Sequence, residues 1–308
     1  MLRTSQCHEH VAMGALGLRI RGLVSRGCMQ SVKNIEIEMK DREAFYQKVV
    51  RLRIPDKDAS ILICGGGELD KKTFANLGFR DVTISNLDTR VEERDYFPFK
   101  WKFENAEALS CEDGSFDYVV IHAAIHHASS PHRVLLEMYR VARKGMLAFE
   151  ARDSALMHCL ERFQLTQEYE HAAVYYNDCK YGGVNNTEIP NFVFRWTERE
   201  VEKTIQSYAP YCRHTFMYEY GSAFPCTPAL EAKGALKRAF LLMMRPPYWL
   251  FTKIFVKQQN LFAFYVAKPS IPDTLFPWLI FDQQEQRIKF NKQWGDLKYK
   301  NGRIAESD

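Results

Sequence analysis

The sequence lacks any apolar run of the roughly 20 residues that a membrane-spanning helix needs. Its most apolar stretches, Ala239–Met244 and Tyr248–Val256, are separated by an Arg-Pro-Pro sequence, and the second contains Lys253. A marked excess of charge is also missing, because 42 basic residues stand against 38 acidic ones among 308 residues. Such a balance provides no concentrated basic surface for nucleic acid. We therefore expect no transmembrane segment and no nucleic-acid partner.

The cysteine pattern lacks the spacing of zinc and redox sites. None of the eight cysteines forms a Cys-x-x-Cys pair, and they are scattered along the chain. This pattern is typical of reduced cysteines in a cytosolic protein. The sequence thus predicts a cytoplasmic protein without a metal site.

Acidic residues are scarce in the first 33 positions. Glu9 is the one acid there, and the basic residues are Arg3, Arg19, Arg21, Arg26 and Lys33. This composition resembles a mitochondrial presequence, which makes a mitochondrial location the alternative to a cytoplasmic one. A flexible extension explains it equally well, as does a start codon upstream of the true one at Met29 or Met39. We expect an extension over residues 1–40.

From residue 60 the sequence alternates short apolar runs with amphipathic stretches. The predicted strands are Ser60–Cys64, Val82–Leu87, Trp101–Phe103, Tyr118–Ala124, Met146–Glu150, His214–Tyr220 and Leu261–Ala267. Helices are predicted over Asp41–Arg53, Pro131–Arg143 and Thr197–Tyr208. Nearly continuous apolar strands that alternate with helices indicate an α/β protein with a doubly wound, mostly parallel sheet.

Two stretches interrupt this alternation within a main domain predicted over residues 41–270. Residues 164–196 are rich in Tyr, Asn and Gly, and residues 222–258 are rich in Pro, basic and bulky apolar residues. Insertions after late strands of such a sheet lie near the edge where ligands bind, so we expect both to shape a substrate pocket. The segment 236–257 favours a buried helical pair or dimer contact, with peripheral membrane contact as the alternative. Residues 271–308 form a C-terminal tail.

Two features of the first strands indicate an adenosine-containing ligand. Gly65, Gly66 and Gly67 follow the first strand, and glycines there allow a tight turn and a close approach of the backbone to a ligand. Asp88 ends the second strand about twenty residues later, where a carboxylate can accept both ribose hydroxyls. NAD sites and S-adenosylmethionine sites share these features, so they do not distinguish the two cofactors.

The next segment carries a resemblance to a known family. An Asn-Ala-Glu-Ala-Leu turn at 105–109 is followed by a Gly-Ser-Phe-Asp strand start at 114–117 and then by His126 and His127. Over residues 58–152 the chain resembles the class I S-adenosylmethionine-dependent methyltransferases, small-molecule type. The resemblance implies a seven-stranded Rossmann-like sheet, S-adenosylmethionine as the cofactor and a small-molecule acceptor.

The resemblance also implies roles for individual residues. Asn105 would bond the adenine amino group, the Ala106 amide would address the adenine ring, and His122 would lie beside the methionine moiety. The family often has an acid where Ile63 stands, so we expect Glu68 or Asp70 to hold the methionine ammonium instead.

His126 and His127 are the candidate catalytic residues. They follow the strand end toward which the methyl group would point, and a neutral imidazole can act as a general base near neutral pH. Packing or loop capping is the alternative role. The sequence predicts a methyltransferase that acts on a small molecule, and the expected acceptor atom is a hydroxyl oxygen. An NAD(P)-dependent oxidoreductase and a non-catalytic methyltransferase-like subunit remain as alternatives, and the oligomeric state is not indicated.

Overall fold

The structure, a computed structural model, describes residues 26–224, 239–240 and 242–303. Its main sheet consists of β1 (Ile61–Cys64), β2 (Val82–Asn86), β3 (Lys100–Phe103), β4 (Phe116–His122), β5 (Ala142–Ala151), β6 (Thr215–Gly221) and β7 (Leu261–Ala267). These strands lie in the order β3-β2-β1-β4-β5-β7-β6, and β7 alone runs antiparallel to its neighbours. The predicted doubly wound, mostly parallel sheet is confirmed.

Helices border the strands along the chain. They are α1 (Arg26–Arg53), α2 (Glu68–Asn76), α3 (Glu93–Tyr96), α4 (Pro131–Val141), α5 (Ala155–Arg162), α6 (His171–Tyr176), α7 (Glu198–Tyr208), α8 (Arg245–Ile254) and α9 (Lys292–Arg303). The predicted helix Asp41–Arg53 begins earlier, at Arg26. The predicted helix Pro131–Arg143 ends two residues earlier, because Ala142 already pairs with Phe116 as the first residue of β5. Residues 1–25 of the predicted extension lie outside the described part.

The core lies on both faces of the sheet. Every residue of β1 and β2 is buried. Leu62 and Cys64 of β1 belong to the apolar cluster that contains Met138 of α4. Ile61 and Ile63 point the other way, into the cluster that includes side chains of α1. Because successive side chains of a strand face opposite sides, burial of both sides requires the unbroken apolar runs seen in the sequence.

The first insertion, residues 164–196, contains α6 and lies against the carboxyl ends of the strands. The Asn186 side-chain amide donates to the carbonyl of Leu87 (3.1 Å), just beyond β2. The Asn185 amide donates to Ser129 Oγ (2.8 Å), in the loop that follows β4. These two hydrogen bonds attach the insertion to two neighbouring strand ends.

The second insertion, residues 222–258, is described in part, since residues 225–238 and 241 lie outside the described ranges. Helix α8 buries Tyr248 and Thr252 and leaves Leu250 and Ile254 exposed. No helix within the described ranges is long and apolar enough to cross a membrane. The tail contains α9 and a separate hairpin of β8 (Leu279–Asp282) and β9 (Arg287–Phe290).

Candidate functional site

The strand order reverses at β1, which has β2 on one side and β4 on the other. In open α/β sheets a crevice forms at such a reversal, outside the carboxyl ends of the strands. The residues predicted to bind a cofactor follow the ends of β1, β2, β3 and β4 in the chain. The topology therefore brings four separate sequence motifs to one edge of the sheet.

The glycine turn after β1 requires glycine at two of its three positions. Gly65 has φ +60°, and a Cβ on it would approach the Cβ of Ala124 to 2.6 Å. A Cβ on Gly66 would come within 2.8 Å of Ile63 and Ile84. This close approach of backbone to the end of β4 leaves a bare peptide surface of the kind that a cofactor contacts.

The two acids of this turn have different environments. The Glu68 side chain is exposed at the start of α2, with Lys71 3.9 Å away. Asp70 is buried and accepts hydrogen bonds from the Tyr46 hydroxyl (2.6 Å) and from the Gly67 amide (2.8 Å). Asp70 thus anchors the glycine turn to α1. Of the two candidates for the methionine ammonium, Glu68 is the one with an exposed carboxylate.

Asp88 lies just beyond the end of β2 and is only 1% exposed. The Arg90 guanidinium donates to both of its carboxylate oxygens, from Nε to Oδ1 (2.8 Å) and from Nη2 to Oδ2 (2.7 Å). Arg90 also donates to Asn177 Oδ1 (3.1 Å) and lies over the ring of Tyr181 at 4.3 Å. Asp88, the predicted acceptor of the ribose hydroxyls, is therefore linked through Arg90 to the first insertion. The sequence did not indicate this contact.

The Asn105 turn follows β3. Asn105 Oδ1 accepts a hydrogen bond from the Glu107 amide (2.9 Å), and Glu107 in turn accepts one from the Ser129 amide (3.2 Å). A carbonyl oxygen has two lone pairs, so the Asn105 carboxamide retains acceptor capacity for an adenine amino group. Ala106 packs against the apolar cluster beside it.

His122 is the last residue of β4, at the same edge. Its ring stacks on the Tyr46 ring, with centroids 4.3 Å apart and an interplanar angle of 13°. The ring of Phe149 packs edge to face against it, with centroids 5.7 Å apart. These contacts hold the imidazole between α1 and β5, next to the glycine turn.

His126 and His127 lie in a short 3-10 turn at 125–127, and both are buried. His126 Nδ1 lies 2.6 Å from Glu150 Oε2, and His126 Nε2 lies 3.4 Å from Glu170 Oε2. His127 Nε2 lies 3.1 Å from the same oxygen of Glu170. Two imidazoles thus converge on the Glu170 carboxylate, and Glu150, near the end of β5, contacts His126. We call these four residues the His–Glu cluster.

Backbone and amide contacts hold the two carboxylates in place. Glu150 Oε1 accepts a hydrogen bond from the Ile125 amide (2.8 Å), at the start of the 3-10 turn. Glu170 Oε2 accepts one from the Asn191 side-chain amide (3.0 Å). The sequence did not predict roles for these glutamates. The signal for Glu150 was a carboxylate at the end of an apolar strand, whereas nothing in the sequence singled out Glu170 within its insertion.

The cluster favours positive charge on His126. Burial lowers the pKa of His126, but the adjacent carboxylates of Glu150 and Glu170 outweigh burial, so this pKa lies well above its usual value. Burial raises the pKa of Glu170, and the imidazoles of His126 and His127 outweigh it, so that pKa lies below its usual value. The donor atoms of His126, His127 and Glu170 all lie within 4.8 Å of one another and form a set that could hold a metal ion.

The adenosine-binding features fit S-adenosylmethionine. Gly65 leaves no room for a side chain against Ala124, Asp88 supplies a buried carboxylate at the predicted ribose position, and Asn105 supplies an amide oxygen at the predicted adenine position. NAD-binding sheets of the doubly wound type usually have six parallel strands in the order 3-2-1-4-5-6. Here the antiparallel strand β7 is inserted between β5 and β6, which that arrangement lacks.

Comparison with solved structures finds remote likenesses. An S-adenosylmethionine-dependent methyltransferase from Thermotoga maritima is 15% identical, with 75% of this chain and 91% of that chain covered and a TM-score of 0.46. The YcgJ protein from Bacillus subtilis is 12% identical, with 72% and 97% covered and a TM-score of 0.42. Phosphoethanolamine N-methyltransferase 2 from Haemonchus contortus is 13% identical, with 77% and 52% covered and a TM-score of 0.41.

Sequence comparison matches residues 64–149 to the family described as a methyltransferase domain. No curated protein shows significant similarity to the sequence. The matched segment begins at the last residue of β1 and ends in β5, and so contains the glycine turn, Asp88, the Asn105 turn and both histidines of the cluster. Together with the seven-stranded sheet, this match identifies the chain as one that carries a class I S-adenosylmethionine-dependent methyltransferase domain, with S-adenosylmethionine as its cofactor.

Proposed function

We propose that the protein transfers a methyl group from S-adenosylmethionine to a hydroxyl oxygen of a small-molecule acceptor. The His–Glu cluster is the observation that carries this proposal. It consists of three buried side chains, His126, His127 and Glu150, and the partly exposed Glu170, just beyond the end of β4, where the family resemblance directs the methyl group. An amine acceptor can react through its own lone pair, whereas a hydroxyl needs polar groups that assist loss of its proton.

The bound cofactor supplies an electrophilic methyl group on a sulfonium sulfur. The protein has to align the acceptor oxygen with that methyl group and provide a destination for the hydroxyl proton. His126 and His127 are the proposed catalytic residues, because their ring nitrogens and Glu170 converge on one point next to the strand end. Since the cluster favours positive charge on His126, His127 is the proposed acceptor of the proton, and His126 is the residue that holds Glu170.

The first insertion supports a reaction that is shielded from water. It is attached to the carboxyl edge at three places, through Arg90 to Asn177, through Asn186 to Leu87 and through Asn185 to the loop after β4. It also supplies Glu170 to the cluster. Water exclusion strengthens the electrostatic interactions in a site and prevents hydrolysis of the activated methyl group.

Aromatic side chains of the insertion favour an acceptor that contains a ring. Tyr169 and Phe192 pack edge to face, with centroids 5.5 Å apart, and both are about half exposed. They are the sequence neighbours of Asn191 and Glu170, and the Asn191 side-chain amide donates a hydrogen bond to Glu170 of the cluster. An exposed aromatic pair on the insertion that supplies Glu170 suits an acceptor that contains a phenolic or similar ring.

Calorimetric titration with S-adenosylmethionine, S-adenosylhomocysteine and NAD tests the cofactor part of the proposal. We expect binding of the first two and none of NAD. The acceptor part is tested with methyl-labelled S-adenosylmethionine and a panel of phenols, their O-methylated counterparts and the matching anilines. Label should appear in the phenols alone. Transfer to the anilines and not to the phenols would refute the oxygen acceptor. Failure of both S-adenosylmethionine and S-adenosylhomocysteine to bind would refute the function.

Matched variants separate cofactor binding from catalysis. His127→Gln should lower turnover at least about tenfold and leave cofactor affinity nearly unchanged, because the cluster lies on the acceptor side. Asp88→Asn should weaken cofactor binding instead. His158→Gln is the control, since this histidine lies on α5 with its side chain 64% exposed. Wild-type turnover in both His126→Gln and His127→Gln would remove the cluster from the mechanism.

A further inference from the structure

The His–Glu cluster contains the donor set of a known type of metal site. Two histidines and one carboxylate, contributed by His126, His127 and Glu170, are the ligands that bind divalent transition metals with open coordination positions. Within the ranges that the structure describes, this is the one group of three such side chains close enough to share an ion. The sequence predicted no metal site, because it offers no Cys-x-x-Cys pair and Glu170 is 43 residues from His127.

The separations of the donor atoms suit coordination to one ion. Atoms that each lie about 2.1 Å from an ion are roughly 3.0 Å apart at a right angle and roughly 3.4 Å apart at the tetrahedral angle. Glu170 Oε2 lies 3.1 Å from His127 Nε2 and 3.4 Å from His126 Nε2. All the donor atoms of the three residues lie within 4.8 Å of one another.

The residues that contact the three donor side chains resemble those that orient the ligands of known metal sites. Histidine ligands usually donate their second ring nitrogen to a carboxylate or a backbone carbonyl, which sets the tautomer and the ring orientation. His126 Nδ1 lies 2.6 Å from the buried carboxylate of Glu150, which directs Nε2 toward Glu170. Nε2 of His126 is buried and has no hydrogen-bond partner of good geometry. Asn191 Nδ2 donates to Glu170 Oε2 (3.0 Å) and fixes the position of this carboxylate.

The charge balance of the cluster also favours a cation. The Glu150 side chain is fully buried and the Glu170 side chain is 18% exposed, and carboxylates removed from water need compensating charge. A divalent cation would neutralise both carboxylates in place of a protonated His126, and His126 and His127 would then bind it as neutral ligands. Imidazole donors select zinc and the neighbouring first-row metals, whereas magnesium and calcium prefer oxygen ligands throughout.

We propose that His126, His127 and Glu170 bind one divalent first-row transition metal ion, with Glu150 orienting His126 from behind. Metal binding does not depend on the identity of the acceptor. Its use does rest on the proposed function: a hydroxyl oxygen that binds such an ion loses its proton more readily, and in the metal-bound protein the proton passes to solvent water and not to His127.

Cobalt titration of metal-free protein tests the proposal. The protein is prepared without a polyhistidine tag, stripped with a chelator and titrated with Co²⁺ while visible absorption is recorded. We expect one Co²⁺ per chain with ligand-field bands, and displacement of the colour by Zn²⁺. His127→Gln and Glu170→Gln should abolish the bands, and Glu150→Gln should weaken binding by roughly 10- to 100-fold. His158→Gln should bind Co²⁺ as the wild type does.

Several results would overturn the proposal. Absence of the bands in the wild type at excess Co²⁺ would do so, and so would bands that persist in both His127→Gln and Glu170→Gln, since the ion would then lie elsewhere. Circular dichroism and binding of S-adenosylhomocysteine check that each variant is folded; if one is not, His126→Gln removes a donor atom of the same set. The readout needs no turnover, so a failed methyl transfer assay cannot be confused with failed metal binding.

Discussion

Arg90 covers the carboxylate of Asp88, with a hydrogen bond to each of its two oxygens. This places an arginine against the same carboxylate that the sequence assigns to the ribose hydroxyls. A ribose that binds Asp88 would therefore compete with Arg90 for one buried acceptor group, or share it. The arginine also reaches Asn177, so the position of the first insertion and the state of the ribose site are coupled through one side chain.

Replacement of Arg90 by methionine should separate these effects. Without its partner the buried carboxylate of Asp88 is less stable, so we expect the cofactor-free protein to lose about 1–3 kcal/mol of unfolding free energy. S-adenosylhomocysteine should bind more tightly than to the wild type, because its ribose no longer competes with the guanidinium. Chemical denaturation and calorimetric titration measure the two quantities. Weaker binding would show instead that Arg90 contacts the cofactor.

The Gly65→Ala variant should damage the cofactor site through the close approach of Gly65 to Ala124. The new Cβ would lie 2.6 Å from the Cβ of Ala124, and φ is +60°. We expect about 1–3 kcal/mol of destabilisation and at least about tenfold weaker cofactor binding. Gly78→Ala is the matched control, since φ is +79° there but no atom lies within 4 Å of the added Cβ. Equal effects on cofactor binding in both variants would contradict a specific role of the turn.

The Tyr46→Phe variant tests the anchor of the glycine turn. It removes the hydroxyl that donates to the buried Asp70 carboxylate and keeps the ring that stacks on His122. Asp70 would then be one donor short, which costs about 1–3 kcal/mol. Thermal unfolding measures this loss, and Tyr46→Leu, which removes the ring as well, should cost more. Equal stability of Tyr46→Phe and the wild type would mean that the Asp70 hydrogen bond contributes nothing.

Asp117 should make stability depend on acid pH. Burial raises the pKa of Asp117, but hydrogen bonds from Arg143, Ser60 and Lys144 outweigh burial and lower this pKa from 3.8 to about 2. Its contribution is therefore complete above the unfolded-state value and is lost as pH falls through the folded-state value. Asp117→Asn should be less stable than the wild type near neutral pH, and the difference should vanish toward pH 2.

Urea unfolding of both proteins across this pH range measures the difference. Asp113→Asn is the control for loss of one acidic charge, because the Asp113 side chain is 81% exposed. A gap between Asp117→Asn and the wild type that stays constant with pH would contradict the assignment.

The exposed face of α8 predicts contact with an anionic membrane surface. Leu250 and Ile254 are 62% and 63% exposed, and the segment 236–257 contains five basic residues, Lys237, Arg238, Arg245, Lys253 and Lys257, and no acid. Vesicles that contain phosphatidylglycerol should sediment the protein, and vesicles of phosphatidylcholine alone should do so less. A double variant, Leu250→Glu with Ile254→Glu, should lose sedimentation. If instead the variant changes only a concentration-dependent elution volume, the face is a dimer contact.

The fold was largely predictable because its signals are local. Each buried strand, such as β1, needs a continuous apolar run, and the glycines after it meet a backbone requirement within a few residues. The capping box of α7 is another such signal, since Thr197 and Glu200 bond to each other across one helical turn. The cofactor prediction is confirmed for the same reason, since its motifs follow strand ends. The cytoplasmic location and the acceptor stay predictions.

The sequence by itself determined the order of strands and helices, the cofactor class and the two histidines as candidate catalytic residues, since each depends on short-range patterns. Only the tertiary structure decided what surrounds those histidines. Glu150 and Glu170 reach His126 across separations of 24 and 44 residues, and Arg90 reaches Asn177 across 87. Such contacts arise where parallel strands end together and an insertion closes over them. No local periodicity records that arrangement, because it depends on how the whole sheet packs.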